Sequence, residues 1–149
     1  MIEFDTTVRI GRTLGQVFSV LADFETYLAR WAKGPVAAAR TDGGGGGDGS
    51  RCVITARAGP ATVRSPYEVT GYDPSARLAG HGVAGPVRFQ EEYRLTGDGA
   101  ATILTQSIRA TAAAHSGLVP GLLRRQLKKL IASGLGRLKD LVEAETPHS

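Results

Sequence analysis

The sequence has little of three things: it contains one cysteine, one tryptophan, and aromatic residues at only 6% of its 149 positions. A single cysteine cannot form a disulfide within the chain, so we expect Cys52 to be a small buried hydrophobic residue in a reducing compartment. No apolar run approaches the roughly 18 residues of a membrane-spanning helix, which excludes a helical membrane protein. The first residues lack the pattern of a signal peptide, and we therefore expect a cytoplasmic protein.

Glycine, in contrast, is abundant, with 20 residues, while hydrophobic residues make up 42% and charged residues 21% of the chain. This length and composition are typical of one globular domain. We predict that the domain spans residues 1–146 and that residues 147–149 form a frayed tail. Many glycines and few aromatics favour an incompletely filled interior. The net charge of +4 is modest, so its meaning depends on where the basic residues lie.

Apolar and polar residues alternate along residues 2–10, and the same period of two returns from residue 36 to about residue 112. This pattern predicts half-buried antiparallel strands separated by glycine-rich turns. The glycine run at 43–49 is not followed by Gly-Lys-Ser/Thr or by a helix, which favours a loose hairpin over a phosphate loop. The predicted strands are 2–10, 36–41, 51–58, 62–70, 77–81, 87–95 and 102–111.

Helical spacing appears in two places. Thr13 and Gln16 have the spacing of a capping box, and they open two short helical segments that end near Trp31. Pro120 begins an amphipathic helix of about 25 residues with leucines every three or four positions. This order predicts an α+β fold in which a curved seven-stranded antiparallel sheet wraps around the C-terminal helix. Gly134, on the sheet-facing stripe, either leaves interior space or allows close packing.

Four segments resemble the polyketide cyclase/dehydrase branch of the START/Bet v 1-like (SRPBCC) superfamily. They are the segments at 17–23 (VFSVLAD), 27–31 (YLARW) and 67–74 (YEVTGYDP), and the Leu-rich, basic helix at 122–145. The resemblance implies a helix-grip fold with a hydrophobic cavity between the sheet and the C-terminal helix. It further implies a small hydrophobic ligand, such as a lipid, polyketide or aromatic metabolite, and no cofactor. These motifs describe a fold and not a catalytic centre, and the glycine run at 43–49 departs from them.

Glu91 is the leading candidate for chemistry, because it stands between Phe89 and Tyr93 on an apolar strand face. A carboxyl group in an apolar cavity has a raised pKa and can act as an acid or base, or bind a polar ligand group. The alternatives are a face turned to water and a pairing with an arginine. Tyr67 is the second catalytic candidate. The predicted ligand-binding residues are Trp31, Ile54, Tyr67, Phe89, Glu91, Tyr93, Gln106, Leu127, Ile131 and Gly134.

The sequence allows two roles for several polar and aromatic residues. Trp31 either gates the cavity or anchors the core, and Tyr67, Ser65 and Gln106 are either satisfied core groups or ligand contacts. The three histidines, His81, His115 and His148, have no neighbours at metal-ligand spacing, so we predict no metal site. No nucleophile elbow supports a Ser-His-Asp triad.

Three functions follow from these residues. The first is binding of a small hydrophobic molecule in the internal cavity. The second is a polyketide cyclase or dehydratase that uses Glu91 or Tyr67. The third is an interaction module in which the basic pairs Arg124-Arg125 and Lys128-Lys129 contact an anionic surface, although these residues also suit an ordinary solvated helix face. Peripheral membrane contact stays open, no nucleic-acid partner is expected, and the sequence does not determine the oligomeric state.

Overall fold

A computed structural model describes residues 1–31, 36–40, 49–58, 61–114 and 116–145. These ranges contain three helices: α1 (Leu14–Leu21), α2 (Phe24–Trp31) and α3 (Pro120–Glu145). The predicted frayed tail at 147–149 and all but the last residue of the glycine run lie outside these ranges. The strands are β1 (Ile2–Ile10), β2 (Val36–Arg40), β3 (Arg51–Ala58), β4 (Ala61–Asp73), β5 (Arg77–Ala84), β6 (Val87–Asp98) and β7 (Ala101–Ala112).

The strands form one antiparallel sheet in the order β1-β7-β6-β5-β4-β3-β2. From β2 to β7 each strand pairs with the next along the chain, and β1 closes one edge by pairing with β7. The helices α1 and α2 connect β1 to β2, which lie at opposite edges of the sheet. An antiparallel sheet with a long C-terminal helix packed beside it confirms the predicted α+β, helix-grip arrangement.

Helix α1 begins where the sequence pattern predicts it. The Thr13 hydroxyl accepts a hydrogen bond from the Gln16 backbone amide at 3.3 Å, and the Thr13 amide donates to Gln16 Oε1 at 3.0 Å. This reciprocal capping satisfies two amide groups that a helix start leaves without partners. The helix then buries Val17, Phe18, Val20 and Leu21 in the core.

The core has two parts, which differ in how closely α3 approaches the sheet. In the first, called the main core here, Leu135, Leu138 and Val142 of α3 are fully buried together with residues of α1, α2 and five strands. The second cluster consists of Ile2, Phe4, Ile108 and Ala110, and the α3 side chains packed against it are only partly buried. The helix is therefore closely packed along its C-terminal half and more loosely packed along its N-terminal half.

A polar clamp fixes the closely packed end of α3. The Glu143 carboxylate accepts hydrogen bonds from the Gly11 amide, just after β1, at 2.7 Å and from Lys139 Nζ at 2.6 Å. The Arg12 guanidinium in turn donates to the Glu143 carbonyl oxygen. These contacts hold the pKa of Glu143 below its usual value. They join the end of the first strand to the end of the last helix.

Two predicted strand ends were wrong. The strand predicted to end at residue 81 continues as β5 through Gly82 to Ala84, because Gly82 pairs with Tyr67 on one side and Phe89 on the other. The strand predicted to end at residue 95 is longer, since β6 extends to Asp98, and Gly99 takes the positive φ of 64° that a tight turn requires.

Candidate functional site

An apolar cavity of about 260 Å³ lies between the N-terminal half of α3 and strands β5, β6 and β7. Seven of its eight lining residues are hydrophobic, and Glu91 is the only charged one. Concave, mostly apolar spaces with few polar groups are typical of small-molecule sites. The lining residues are Ala84, Val87, Phe89, Glu91, Ile108, Ala110, Leu127 and Ile131.

Strand register explains how these residues meet. Side chains alternate between the two faces of a strand, so Phe89 and Glu91 of β6 share the face that points toward α3. Their partners across the pair are Ala110 and Ile108 of β7. Ala110 is too small to reach the helix, and α3 is loosely packed at this end. Together these two features leave the cavity open.

Glu91 is held by a hydrogen-bond network at the core side of this cavity. The Tyr67 hydroxyl donates to Glu91 Oε1 at 2.7 Å, and Gln106 Nε2 donates to Glu91 Oε2 at 3.1 Å. Gln106 Nε2 also lies 3.1 Å from the Tyr93 hydroxyl. Tyr67, Tyr93 and Gln106 are each about 97% buried or more, whereas Glu91 is half-buried, as expected for a residue that lines an accessible space.

Burial determines the protonation behaviour of this network. Desolvation raises the pKa of Glu91 above its usual value, and hydrogen bonds from Tyr67, Gln106 and Tyr93 offset part of that rise. Burial also raises the pKa of the Tyr67 and Tyr93 hydroxyls well above their usual value, and the nearby Glu91 charge adds to the effect. Both tyrosines therefore stay protonated and act as hydrogen-bond donors, and the carboxyl group is the member suited to exchange a proton.

Two glycines of β5 make room for the aromatic side chains of the site. A Cβ atom at Gly80 would lie closer to the Tyr67 hydroxyl and ring than van der Waals contact allows, with 2.6 Å to Tyr67 Cε1. A Cβ atom at Gly82 would lie 2.8 Å from Phe89 Cζ and 2.9 Å from the Pro66 carbonyl oxygen. Glycine at these alternate strand positions permits Tyr67 to cross β5 and reach Glu91.

The structure places the ten predicted binding residues in three groups. Four of them line the cavity, namely Phe89, Glu91, Leu127 and Ile131. Tyr67, Tyr93 and Gln106 lie behind Glu91 and hold it in place. The remaining three, Trp31, Ile54 and Gly134, lie outside this lining.

Those three residues belong to the main core. Trp31 is 6% exposed and packs there, and Ile54 packs against the same cluster. A Cβ atom at Gly134 would meet the Trp31 ring at 3.8 Å, an ordinary contact distance. The structure thus places Trp31 as a core anchor and Gly134 as its close-packing partner, which is the second of the two alternatives for Gly134.

Sequence reasoning missed four lining residues and the glycines. Ala84, Val87, Ile108 and Ala110 line the cavity without any chemical signal of their own. Period two along the last strand places Ile108 and Ala110 on the same face as Gln106, which is the pattern that could have identified them. Gly80 and Gly82 flank His81 at alternate positions, a spacing that indicates close approach of a neighbouring side chain.

Within the described ranges, no group of three or more His, Cys, Asp or Glu side chains is placed to hold a metal ion. His81 lies 3.6 Å from Glu68, in an exposed pair. Across the same ranges, none of the helices combines the length and apolar character required to traverse a lipid bilayer.

A sheet gripping a C-terminal helix, with an apolar cavity between them, defines the Bet v 1-like class of folds. The chain belongs to the family described as "Polyketide cyclase / dehydrase and lipid transport", whose model matches residues 1–143. No curated protein matches the sequence.

Solved structures show the same fold at low sequence identity. A START superfamily protein from Mycobacterium smegmatis is 13% identical with a TM-score of 0.79, and the match covers 97% of this chain and 99% of that one. Ara h 8.0201 is 10% identical with a TM-score of 0.78, over 96% and 98% of the two chains. The di-domain ARO/CYC protein BexL from the BE-7585A biosynthetic pathway is 18% identical with a TM-score of 0.77, over 96% of this chain and 47% of that chain.

Proposed function

We propose that this protein binds a small hydrophobic molecule that carries a hydrogen-bond donor, in the cavity between α3 and strands β5 to β7. The observation that carries the proposal is the single carboxylate of Glu91 in an otherwise apolar lining. Membership of the family supports a hydrophobic ligand, whether lipid, polyketide or aromatic metabolite. The predicted single domain at 1–146 and the cytoplasmic location belong to the same proposal, the latter resting on the single cysteine.

The cavity volume limits the size of the buried part of the ligand. A dry protein cavity of about 150 Å³ holds one benzene molecule. By proportion, 260 Å³ holds about ten carbon atoms, the size of a two-ring aromatic group. Burying such a group contributes roughly 25 cal/mol for each Å² of apolar surface removed from water, before the costs of association.

Glu91 determines the polar group of that ligand. A carboxylate offers about four acceptor positions and no donor. Tyr67, Gln106 and Tyr93 take three of them. The remaining position fits a hydroxyl or amine hydrogen of a ligand, whereas an ether or ketone oxygen there would repel the carboxylate. We therefore expect phenols to bind better than their methyl ethers.

Isothermal titration with 2-naphthol, 2-methoxynaphthalene and naphthalene tests this proposal. We expect 2-naphthol to bind about ten times more tightly than the methyl ether, since a hydrogen bond to a charged group contributes about 1.5–3 kcal/mol. Glu91→Gln should weaken the preference for 2-naphthol, and its matched control is Glu92→Gln, because Glu92 pairs with Arg77 and Arg94 and not with the network around Glu91. No binding of any of the three compounds, with the variant and wild type both folded, would reject the site.

A second candidate is a cyclase or dehydratase acting on a polyketide-like chain. The raised pKa of Glu91 favours it, because a carboxylate with a raised pKa is a stronger base and can remove a proton from a carbon between two carbonyl groups. That carbon then attacks another carbonyl of the chain, and protonated Glu91 returns the proton to the new alkoxide, while the Tyr67 hydroxyl, 2.7 Å from Glu91 Oε1, holds the carboxyl group in position. The cavity would hold the chain in the folded shape that ring closure needs.

Product analysis with a poly-β-ketone substrate separates binding from catalysis. Glu91→Gln keeps the size of the side chain and removes its basicity, and Tyr67→Phe removes the hydroxyl. Loss of cyclised product in both variants, with substrate binding retained, supports the enzyme. Turnover that survives both substitutions removes these two residues from the mechanism.

A further inference from the structure

Exposed apolar side chains gather around the start of α3. Val119 and Leu122 are 61% and 52% exposed, and Leu118 and Leu130 are about 40% exposed. The Leu123 amide donates to the Val119 carbonyl oxygen, so Val119 joins the first turn of the helix. Scattered apolar residues are normal on protein surfaces, but a run within one loop and helix end marks an interaction site. We call Leu118, Val119, Leu122 and Leu130 the apolar ridge.

This ridge lies at the same end of the molecule as the cavity. The Ala113 amide, just after β7, donates to the Pro86 carbonyl oxygen in the β5–β6 turn at 2.8 Å, which places the loop before α3 beside that turn. Ala84 and Val87 flank this turn and line the cavity. Leu127 and Ile131 also line it, about one and a half and two and a half turns along α3 from Leu122. Val83, next to Ala84, is a further exposed apolar residue of this end.

Basic residues lie next to the ridge on the same helix, where 3.6 residues per turn place Arg125 and Lys129 beside Val119 and Leu122. Arg124, Arg125, Lys128 and Lys129 are exposed, and the chain contains no acidic residue between Gly99 and Lys139. Within the described ranges, Arg125, Lys128 and Lys129 form no ion pair, whereas cations at the far end are paired, as Arg9 is with Asp98 at 3.0 Å. Glu3, whose carbonyl oxygen accepts a hydrogen bond from Arg124 Nε at 3.4 Å, pairs its carboxylate with Arg109 at 3.0 Å.

We propose that the start of α3 docks on an anionic lipid bilayer, with the apolar ridge entering the headgroup region and the basic residues contacting lipid phosphates. Apolar and basic side chains on one helix face are typical of interfacial helices. Nucleic acid would meet the basic residues equally well, but it would leave Val119 and Leu122 without apolar partners, and no aromatic residue is present here for base stacking. Docking at this end brings the cavity next to the bilayer, from which a hydrophobic ligand can enter.

Vesicle flotation tests the proposal with the full chain and no added ligand. We expect binding to vesicles of phosphatidylcholine mixed with phosphatidylglycerol and weak binding to phosphatidylcholine alone. Each basic residue near an anionic surface changes the partition coefficient about fivefold, so Arg125→Gln with Lys129→Gln reduces it about 25-fold. Val119→Ser with Leu122→Ser reduces it at least about tenfold, because two apolar side chains no longer enter the lipid.

The matched control is Arg9→Gln with Arg94→Gln, which removes the same charge from exposed residues at the opposite end of the sheet. We expect this variant to bind vesicles as the wild type does. Equal loss in the control, or equal binding to both vesicle types, overturns the proposal. Binding of single-stranded RNA without vesicle binding overturns it in favour of nucleic acid. The proposal does not depend on Glu91, so 2-naphthol titration without vesicles tests the cavity separately.

Discussion

Filling the cavity at Ala110 should stabilise the protein and weaken ligand binding at the same time. Ala110 is 2% exposed, lines the cavity and faces Phe89 across the β6–β7 pair. Ala110→Leu adds three carbon atoms that point into the open space and not into packed atoms. Most substitutions of small by large residues in a core have the opposite effect, because no space exists for the added atoms.

The sizes of both effects follow from the three added carbon atoms and the volume of the cavity. Three buried carbon atoms contribute about 0.8 kcal/mol each, so the free energy of unfolding should rise by about 2 kcal/mol. For a chain of this length, 1 kcal/mol shifts the melting temperature by about 2–4 °C, which gives an increase of about 4–8 °C. Three carbons occupy about 75 Å³ on the scale of the benzene cavity, more than a quarter of the 260 Å³. A two-ring ligand should then bind about ten to a hundred times more weakly.

Differential scanning calorimetry and titration with 2-naphthol measure the two effects on one sample. Val17→Phe is the control, since Val17 is fully buried in the main core and the added ring has no space to enter. We expect that variant to lose about 1–3 kcal/mol of stability and, where it stays folded, to keep its ligand affinity. A destabilised Ala110→Leu variant with unchanged naphthol affinity would show that the space beside Ala110 is not the binding site.

Two further predictions concern the network behind the cavity. Because the pKa of Glu91 is raised in the folded protein, its contribution to stability is complete below the pKa of the unfolded chain, near 4.5. That contribution is lost as pH rises through the pKa of the folded protein. Glu91→Gln should therefore gain stability relative to wild type between pH 4 and pH 8. A wild-type-to-variant difference that is constant over this window in urea titrations would contradict the burial of that carboxyl. Gly80→Ala should displace Tyr67 and lower the free energy of unfolding by on the order of 1–3 kcal/mol. Gly97→Ala is the control: its Cβ atom would meet Leu14 at 3.7 Å, so this substitution should be neutral or stabilising. Equal melting temperatures for the two alanine variants would refute the close approach of Tyr67 to β5.

The inward position of Glu91 could be predicted from the sequence, because strict alternation along β6 places it on the same face as Phe89 and Tyr93. Its partners could not be predicted, since Tyr67 and Gln106 reach it only through the pairing of four neighbouring strands. Gly82 was misread for a related reason. A glycine in a strand resembles a turn residue until the neighbouring strand shows which side chain needs the space.

The sequence predicts which side of α3 is buried, but not how closely each part of the helix packs against the sheet. Its leucine spacing predicts a buried stripe, and residues 135, 138 and 142 are indeed buried. The looser packing at Leu127 and Ile131 could not be predicted, because it depends on which strand side chains face them, such as the small Ala110. The same applies to Trp31, whose environment is decided by the packing of α2 against α3 and not by any local pattern.

The most direct test of the proposed binding site is the change in methyl chemical shifts on addition of 2-naphthol, observed by NMR in the wild-type protein. Ile108, Leu127 and Ile131 line the cavity, whereas Leu138 and Val142 lie in the closely packed main core. A ligand beside Glu91 should shift the first three methyl groups by saturable amounts and leave the last two in place. Shifts centred on Leu138 and Val142, or none at the cavity methyl groups at saturating ligand, would contradict the proposed site.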